Sequence, residues 1–171
     1  MRGEGARGVL DPVETARFDA VVRRSSTRLI QMLDAISLDR ELSADAAQEA
    51  FVQLYLHWDK VGDSAEPEGW LYRVAVNRCR DQQRRLMRAG RLVRRLISMP
   101  DPRPEERWEP RAEFISILRH LPARQRTAAA LFYEADMSIA QISSIMGISE
   151  GAVNSHLNRA RTSLRHLLED Q

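Results

Sequence analysis

Apolar residues recur every three or four positions along the chain, and no stretch alternates apolar and polar residues as a half-buried strand would. In the first half, three such stripes predict helices over residues 14–36, from Ser43 to about Lys60, and over residues 68–88. Ser43 is the expected N-cap of the second helix, and Pro67 suits the first turn of the third. These three helices should form one small bundle.

The second half predicts helices over residues 112–121 and 122–135, followed by a shorter helical pair. Ser138 and Gln141 have the spacing of a capping box, which predicts that a helix begins there. Gly147 is expected to end that helix in the left-handed conformation, and Ser149 to cap the next helix. The sequence therefore predicts a helix-turn-helix near the C-terminus.

Composition changes at Gly90, where a basic segment leads into "SMPDPRPEERWEP". Its prolines and clustered acids, Asp101, Glu105, Glu106 and Glu109, favour an extended, semi-rigid linker. We thus predict an all-α protein with two small helical domains. The expected organisation is a disordered tail over 1–13, a helical bundle over 14–89, a linker over 90–110 and a helix-turn-helix domain over 111–171.

Charge and cysteine content exclude several classes of protein. The formal net charge is only +2, yet residues 78–95 carry eight arginines against one acid, so the charge is arranged in blocks. A lone cysteine, Cys79, cannot form an internal disulfide, and the four histidines share no metal-ligand spacing. No apolar run approaches the roughly 18–20 residues of a membrane span, and the N-terminus lacks the apolar stretch of a signal peptide. We expect a cytoplasmic protein without metal, cofactor or membrane partner.

The last predicted helix has one apolar face and one polar face. Val153, Leu157 and Ala160 recur at helical spacing and should pack inward. The opposite face then presents Glu150, Gly151, Asn154, Ser155, Asn158, Arg159 and Arg161. Asn, Ser and Arg side chains match the hydrogen-bonding pattern of base edges and phosphates in the major groove of DNA. A solvated face of an ordinary helical hairpin would show the same pattern.

Two faces of the first domain are also candidates for binding. Asp45, Gln48 and Glu49 lie opposite the apolar stripe of the second helix and suit a basic protein surface. On the third helix, Trp70 and several arginines resemble a platform on which unpaired bases stack. Each face also has an interpretation without a ligand. The polar face of the second helix could be an ordinary solvated surface, and Trp70 on the third helix could be a core residue.

The ordered segments "DAAQEAFVQLYLHW", "WLYRVAVNRCRDQQRR" and "LPARQRTAAALFYEADMSIAQISSIMGISEGAVNSHLNRARTSLRHLL", with a proline-containing linker between the last two, resemble the extracytoplasmic-function sigma factors of bacterial RNA polymerase. The similarity extends from about Phe18 to Leu168. It implies an alternative sigma factor that binds core RNA polymerase at its clamp and flap, recognises the −10 and −35 promoter elements and directs transcription initiation. It also implies that an anti-sigma factor can bind the chain.

The resemblance assigns roles to individual positions. The clamp contact falls on Asp45, Gln48 and Glu49. The −10 contact falls on Asp63, Ser64, Trp70, Arg73, Asn77, Arg80, Asp81 and Arg84. The −35 contact falls on Ser149 and the polar face listed above, with Arg124 and Arg126 on phosphates. Many relatives carry a basic residue where this chain has Asn154, and a bulky or basic residue where it has Asn158.

The residues leave one other function open, and they argue against a third. A helix-turn-helix regulator that never joins the polymerase would need only the C-terminal helix pair. A helical enzyme has little support, since the sequence has no glycine-rich phosphate loop, no nucleophile elbow and no convincing paired-carboxylate site. We therefore predict no catalytic residue.

Overall fold

The computed structural model describes residues 10–94, 115 and 117–169, and every regular element in those residues is a helix. In chain order the helices are α1 (Pro12–Ser37), α2 (Arg40–Leu56), α3 (Trp58–Val61), α4 (Pro67–Arg94), α5 (Ala123–Tyr133), α6 (Ile139–Met146) and α7 (Glu150–Glu169). The prediction of an all-α protein is confirmed. Most of the predicted tail and of the linker, including its four acids, lies outside the described residues.

The long first helix begins at a capping box. The carboxylate of Asp11 accepts hydrogen bonds from the backbone N–H groups of Val13 and Glu14, both at 2.8 Å. The carboxylate of Glu14 in turn accepts a hydrogen bond from the backbone N–H of Asp11 at 3.2 Å. These bonds satisfy N–H groups that a helix otherwise leaves free at its first turn. The predicted start near Glu14 is correct to within two residues.

The predicted cap of the second helix is wrong. Asp39 is the N-cap, and its carboxylate accepts from the backbone N–H of Leu42 at 3.0 Å. Ser43 lies inside α2, where its hydroxyl donates to the carbonyl of Asp39 at 2.8 Å and lies 2.8 Å from the hydroxyl of Ser37. Serine suits both a cap and this backward bond within a helix, so its residue type did not decide the position.

α2 is also shorter than predicted. It ends at Leu56, and the expected stretch to Lys60 belongs instead to the separate short helix α3. Conversely, α4 continues through residues 91–94, which were predicted to be part of the linker. It begins at Pro67, one residue before the predicted start, and Pro67 lies in the first turn as expected.

The core of the first domain lies where α1, α2 and α4 meet. Leu29, Met32 and Leu33 of α1 are fully buried, as are Leu54 of α2 and Leu71 of α4. Full burial of side chains of this size contributes about 1.5–3 kcal/mol each. Packing along this seam therefore fixes how the polar faces of α2 and α4 are oriented.

The C-terminal helices have their own buried residues and also pack on the first domain. Leu131, Ile142 and Leu157 bring the inner faces of α5, α6 and α7 together. In addition, α5 contacts α1, and α6 contacts α4. The sequence predicts two domains joined by a linker, but it does not predict this direct contact between them.

Candidate nucleic-acid and protein interfaces

The α6–α7 turn is held by local hydrogen bonds. At the start of α6, Ser138 accepts from the backbone N–H of Gln141 at 3.2 Å, and the Gln141 side chain accepts from the backbone N–H of Ser138 at 3.0 Å. Gly147 has a φ of 64°, a conformation that glycine adopts without steric cost. Ser149 then accepts from the backbone N–H of Ala152 at 3.2 Å, as its predicted capping role requires. The predicted helix-turn-helix geometry is confirmed.

The two faces of α7 are separated as the sequence predicts. Val153, Leu157 and Ala160 are buried against the preceding helices. The exposed side chains are Glu150, Asn154, Ser155, Asn158, Arg159 and Arg161, and the backbone at Gly151 is also exposed. One face of the helix thus presents amide, hydroxyl and guanidinium groups together, which is the donor and acceptor set that reads a DNA groove.

An aromatic pair on α5 holds one of these arginines. The Nε of Arg161 donates to the hydroxyl of Tyr133 at 3.0 Å, and its guanidinium carbon lies 5.7 Å from the centroid of the Phe132 ring. Arg161 also donates to the Oδ1 of Asn158 at 3.4 Å. Sequence reasoning missed Phe132 and Tyr133. The available signal was a pair of aromatic residues at the end of a helix, of which Tyr133 is 46% exposed.

Arg126 is placed differently from the phosphate contact that the resemblance implies. Its Nε donates to the carbonyl of Ile36 at 3.0 Å, and its guanidinium also donates to the carbonyl of Leu121 at 3.3 Å. Burial lowers the pKa of Arg126. The last turn of α1 has no basic residue of its own, so this arginine from the other domain satisfies a carbonyl at that helix end. Arg124, by contrast, is exposed.

The predicted stacking platform on α4 is only partly available. Trp70 is half-buried against the core, and its ring centroid lies 5.5 Å from that of His57. Arg73 and Asn77 are exposed, but Arg73 donates to the hydroxyl of Ser144 on α6. Trp70 therefore packs as a core residue along part of its surface, which was the alternative interpretation.

The basic end of α4 lies beside the other domain. Partial burial and the neighbouring guanidinium groups of Arg84 and Arg124 lower the pKa of Arg80. Asp81 lies 3.8 Å from Arg84, and both side chains are more than half exposed. The structure thus brings a residue predicted to contact −35 DNA close to residues predicted to contact −10 DNA.

In the loop before α4, Asp63 and Ser64 are both exposed. Asp63 pairs with Arg17 at 3.0 Å, and the Ser64 hydroxyl donates to the carbonyl of Val61 at 2.7 Å. An exposed ion pair of this kind contributes little to stability. Both side chains are accessible to a ligand.

The polar face predicted on α2 borders an apolar groove. Asp45 and Gln48 are exposed, and Glu49 pairs with Arg78 of α4 at 3.1 Å. Beside them is a groove of about 540 Å³ between α1 and α2, lined by Phe18, Ile30, Ala44, Ala47, Gln48, Phe51, Val52 and Tyr55. The acidic and amide rim is predictable from the sequence of α2, but the apolar groove is not, because the residues that line it come from two helices.

Within residues 10–94, 115 and 117–169, no three His, Cys, Asp or Glu side chains are grouped so that they could hold a metal ion. None of the helices in these ranges is both long and apolar enough to cross a membrane.

Two models of one protein family match the chain. Residues 21–89 match "Sigma-70 region 2", and residues 111–164 match "Sigma-70, region 4". Among curated proteins, the RNA polymerase sigma-E factor of Streptomyces avermitilis is 28% identical over 162 residues, covering 92% of this chain and 88% of that protein. The ECF RNA polymerase sigma factor SigM of Bacillus subtilis is 27% identical over 154 residues, covering 88% of this chain and 94% of that protein.

Two solved structures are similar over most of the chain. CnrH, solved in complex with the cytosolic domain of CnrY, aligns with a TM-score of 0.65 and 25% identity over 90% of this chain and 88% of that one. RpoE of Bartonella quintana, solved with the anti-sigma factor NepR, aligns with a TM-score of 0.70 and 21% identity over 91% of this chain and 96% of that one. The second likeness supports the fold alone.

Proposed function

This chain belongs to the sigma-70 family of RNA polymerase sigma factors and to its extracytoplasmic-function group, and we propose that it holds a promoter at two points for core RNA polymerase. The observation that carries the proposal is the pairing, in one chain, of a region 2 bundle with a helix-turn-helix whose second helix exposes a polar face. The chain would act in the cytoplasm. It would determine which promoters are recognised, while the polymerase would carry out the chemistry of RNA synthesis.

We place the polymerase clamp on the α2 surface. Asp45 and Gln48 give it an exposed acidic and amide rim, and Val52 and Tyr55 add apolar area beside that rim. An apolar centre surrounded by polar groups is the usual anatomy of a protein interface. Glu49 would contribute less than predicted, since it is already paired with Arg78. The flap would meet the C-terminal domain.

We place the −10 element along the loop before α4 and the exposed side of α4. Asp63 and Ser64 are accessible there, and Asn77 and Arg84 continue the same surface. Trp70 would support this surface through packing against His57. The −35 element would lie against the exposed face of α7, with Arg124 on a phosphate.

The contact between the two domains is incompatible with simultaneous reading of both elements. The −10 and −35 elements are named for their positions on the DNA, which are about 25 base pairs apart, or roughly 85 Å of duplex. Here Arg73 is hydrogen-bonded to Ser144, so a residue that we assign to the −10 contact touches the helix before the proposed −35 reader. We propose that this closed arrangement belongs to the free protein and opens when the polymerase binds.

The Arg126→Ala substitution should open the closed arrangement. It removes the bond to the carbonyl of Ile36, which joins the two domains, and a hydrogen bond that involves a charged group contributes about 1.5–3 kcal/mol. Cys79 reports the opening, because it is the only cysteine, is fully buried and lies near Arg126; burial raises the pKa of its thiol to about 12, while the charge of Arg126 lowers that pKa. Loss of the Arg126 charge alone would therefore slow modification, and only exposure of the thiol can make it faster. We expect a disulfide reagent at pH 8 to modify it about tenfold faster in the variant.

Arg124→Ala is the matched control for this measurement. Arg124 is exposed, and its positive charge repels that of Arg80 across the contact between the domains. Its removal should therefore leave the closed arrangement as stable or make it more stable, and the modification rate should stay unchanged or fall. Circular dichroism of both variants checks that the helices remain folded. Equal modification rates in Arg126→Ala and the parent protein would contradict the role of Arg126 in holding the domains together.

Reconstitution tests the proposed function itself. The chain, mixed with core RNA polymerase and a library of promoter DNA, should select fragments that share two elements and should start transcription from them. A helix-turn-helix regulator would instead bind its DNA equally well without the polymerase, and charge reversal at Asp45 would leave its activity intact. That pattern, or failure to bind core polymerase, would refute the sigma-factor function.

We also propose that an anti-sigma protein controls the chain. The support is the similarity to CnrH, which was solved in complex with the cytosolic domain of CnrY. The α2 groove is accessible in the free protein, so a competitor of the polymerase has a surface to occupy.

A further inference from the structure

We infer that Tyr133 and Arg161 fix the side-chain amide of Asn158, so that this residue selects guanine or thymine at one position of the −35 element. The inference rests on the proposed function and adds the class of base to it. The observation that carries it is the hydrogen bond from the Arg161 guanidinium to the Oδ1 of Asn158.

This hydrogen bond decides which end of the Asn158 amide faces outward. Arginine has only donors, so the atom of Asn158 that faces Arg161 must be the carbonyl oxygen. The NH₂ group is then directed away from Arg161, and Asn158 as a whole is exposed on the polar face of α7. The residue therefore offers two N–H donors to whatever approaches that face.

The arginine is itself held, so it can act as a support. Its Nε donates to the Tyr133 hydroxyl at 3.0 Å, and its guanidinium lies over the Phe132 ring. The two aromatic rings pack edge to face, with centroids 5.0 Å apart and planes at 81°. A residue ordered in advance by such contacts loses less entropy on binding than a free side chain.

The arrangement favours bases that present acceptors. The usual bidentate contact of asparagine with adenine needs Oδ1 to accept from the adenine amino group. Here Oδ1 accepts from a cation, and although Oδ1 keeps a second lone pair, the adjacent positive charge repels the amino groups of adenine and cytosine. Adenine N7 is also an acceptor, but its neighbouring amino group faces the same charge. Guanine O6 and N7 and thymine O4 accept hydrogen bonds and are attracted to the same charge. Asn158 should thus prefer keto bases over amino bases.

The test compares the −35 sequences that holoenzymes select from a randomised promoter library. The parent chain should favour guanine or thymine by about tenfold over adenine or cytosine at one position, the size of effect that one good base contact gives. In Asn158→Asp, one carboxylate oxygen keeps the contact with Arg161 and the other faces outward as an acceptor. The preference at that position should therefore reverse to cytosine or adenine, whose amino groups donate.

Two further variants separate positioning from a merely structural role. Tyr133→Phe removes only the hydroxyl that holds Arg161, and should reduce the bias at that position to threefold or less while other −35 positions keep theirs. Arg161→Lys should do the same, because lysine cannot bond Tyr133 and Asn158 in the same geometry. Arg165→Lys is the matched control on the same helix and should leave every preference unchanged.

The outcomes distinguish this inference from the proposed function. Selection of a clear −35 element with adenine or cytosine at the position that Asn158 controls would overturn the inference alone. So would a keto preference that Asn158→Asp does not reverse, or that Tyr133→Phe leaves intact. If the holoenzyme selects no −35 element at all, both the inference and the proposed function fail.

Discussion

Replacing Val52 with aspartate is expected to weaken binding to core RNA polymerase by about 100-fold, which corresponds to about 2.7 kcal/mol. Val52 is 49% exposed on α2 and lines the groove together with Phe51 and Tyr55. A carboxylate placed there must lose its water when an apolar partner surface covers it, and that desolvation costs several kcal/mol. The affinity can be measured by titrating labelled chain with core polymerase.

Val13→Asp provides a matched control for Val52→Asp. Val13 is 69% exposed in the first turn of α1, outside the groove, so the same change of residue should leave polymerase affinity within about twofold. An acid near a helix N-terminus is also compatible with the helix dipole. If Val52→Asp binds polymerase as tightly as Val13→Asp does, the clamp does not contact this groove.

Replacing Gly62 with alanine is expected to destabilise the first domain by about 1–3 kcal/mol, the usual cost of overpacking a core. A Cβ at this position would lie 2.7 Å from Cε2 and 2.8 Å from the carbonyl oxygen of Trp58. Trp58 is only 3% exposed and packs edge to face on Phe18, with centroids 5.2 Å apart, so its ring has little room to move. The loss should appear as a lower denaturation midpoint in urea, followed by circular dichroism.

The same glycine-to-alanine substitution at Gly90 should instead stabilise the first domain. Gly90 lies within α4, and a Cβ there would meet no atom within 4 Å. Alanine is favoured over glycine inside a helix by about 1 kcal/mol, so Gly90→Ala should raise the midpoint. A Gly62→Ala variant as stable as the parent would show that α3 and the loop after it shift to make room. Asp63 and Ser64, in that loop, would then be less rigidly placed than the structure indicates.

Some placements failed because the same residue types serve two purposes. Ser43 has the side chain of a cap, but Asp39 begins the helix, and Ser43 bonds backward within it. Trp70 and its arginines have the composition of a stacking platform, but the indole is half-buried beside His57. Residue type alone did not settle either case, because the choice depends on which neighbours the fold brings near.

The sequence by itself determined the features that depend on residues a few positions apart. Helical spacing identified the inner and outer faces of α7, and the Ser138–Gln141 box with Gly147 defined the turn before it. The order of the segments identified the family, which the region 2 and region 4 models confirm. These signals are readable because caps, turns and helix faces are formed by contacts within about four residues.

Only the tertiary structure decided the contacts between distant segments. Arg126 and Ile36 are 90 positions apart and Arg161 and Tyr133 are 28 apart, so no local pattern pairs them. The α2 groove likewise exists only because α1 lies beside α2. Packing of the buried faces sets which helices are neighbours, and that choice assigns Arg126 to a helix end, Arg161 to an aromatic pair and Asn158 to a fixed orientation.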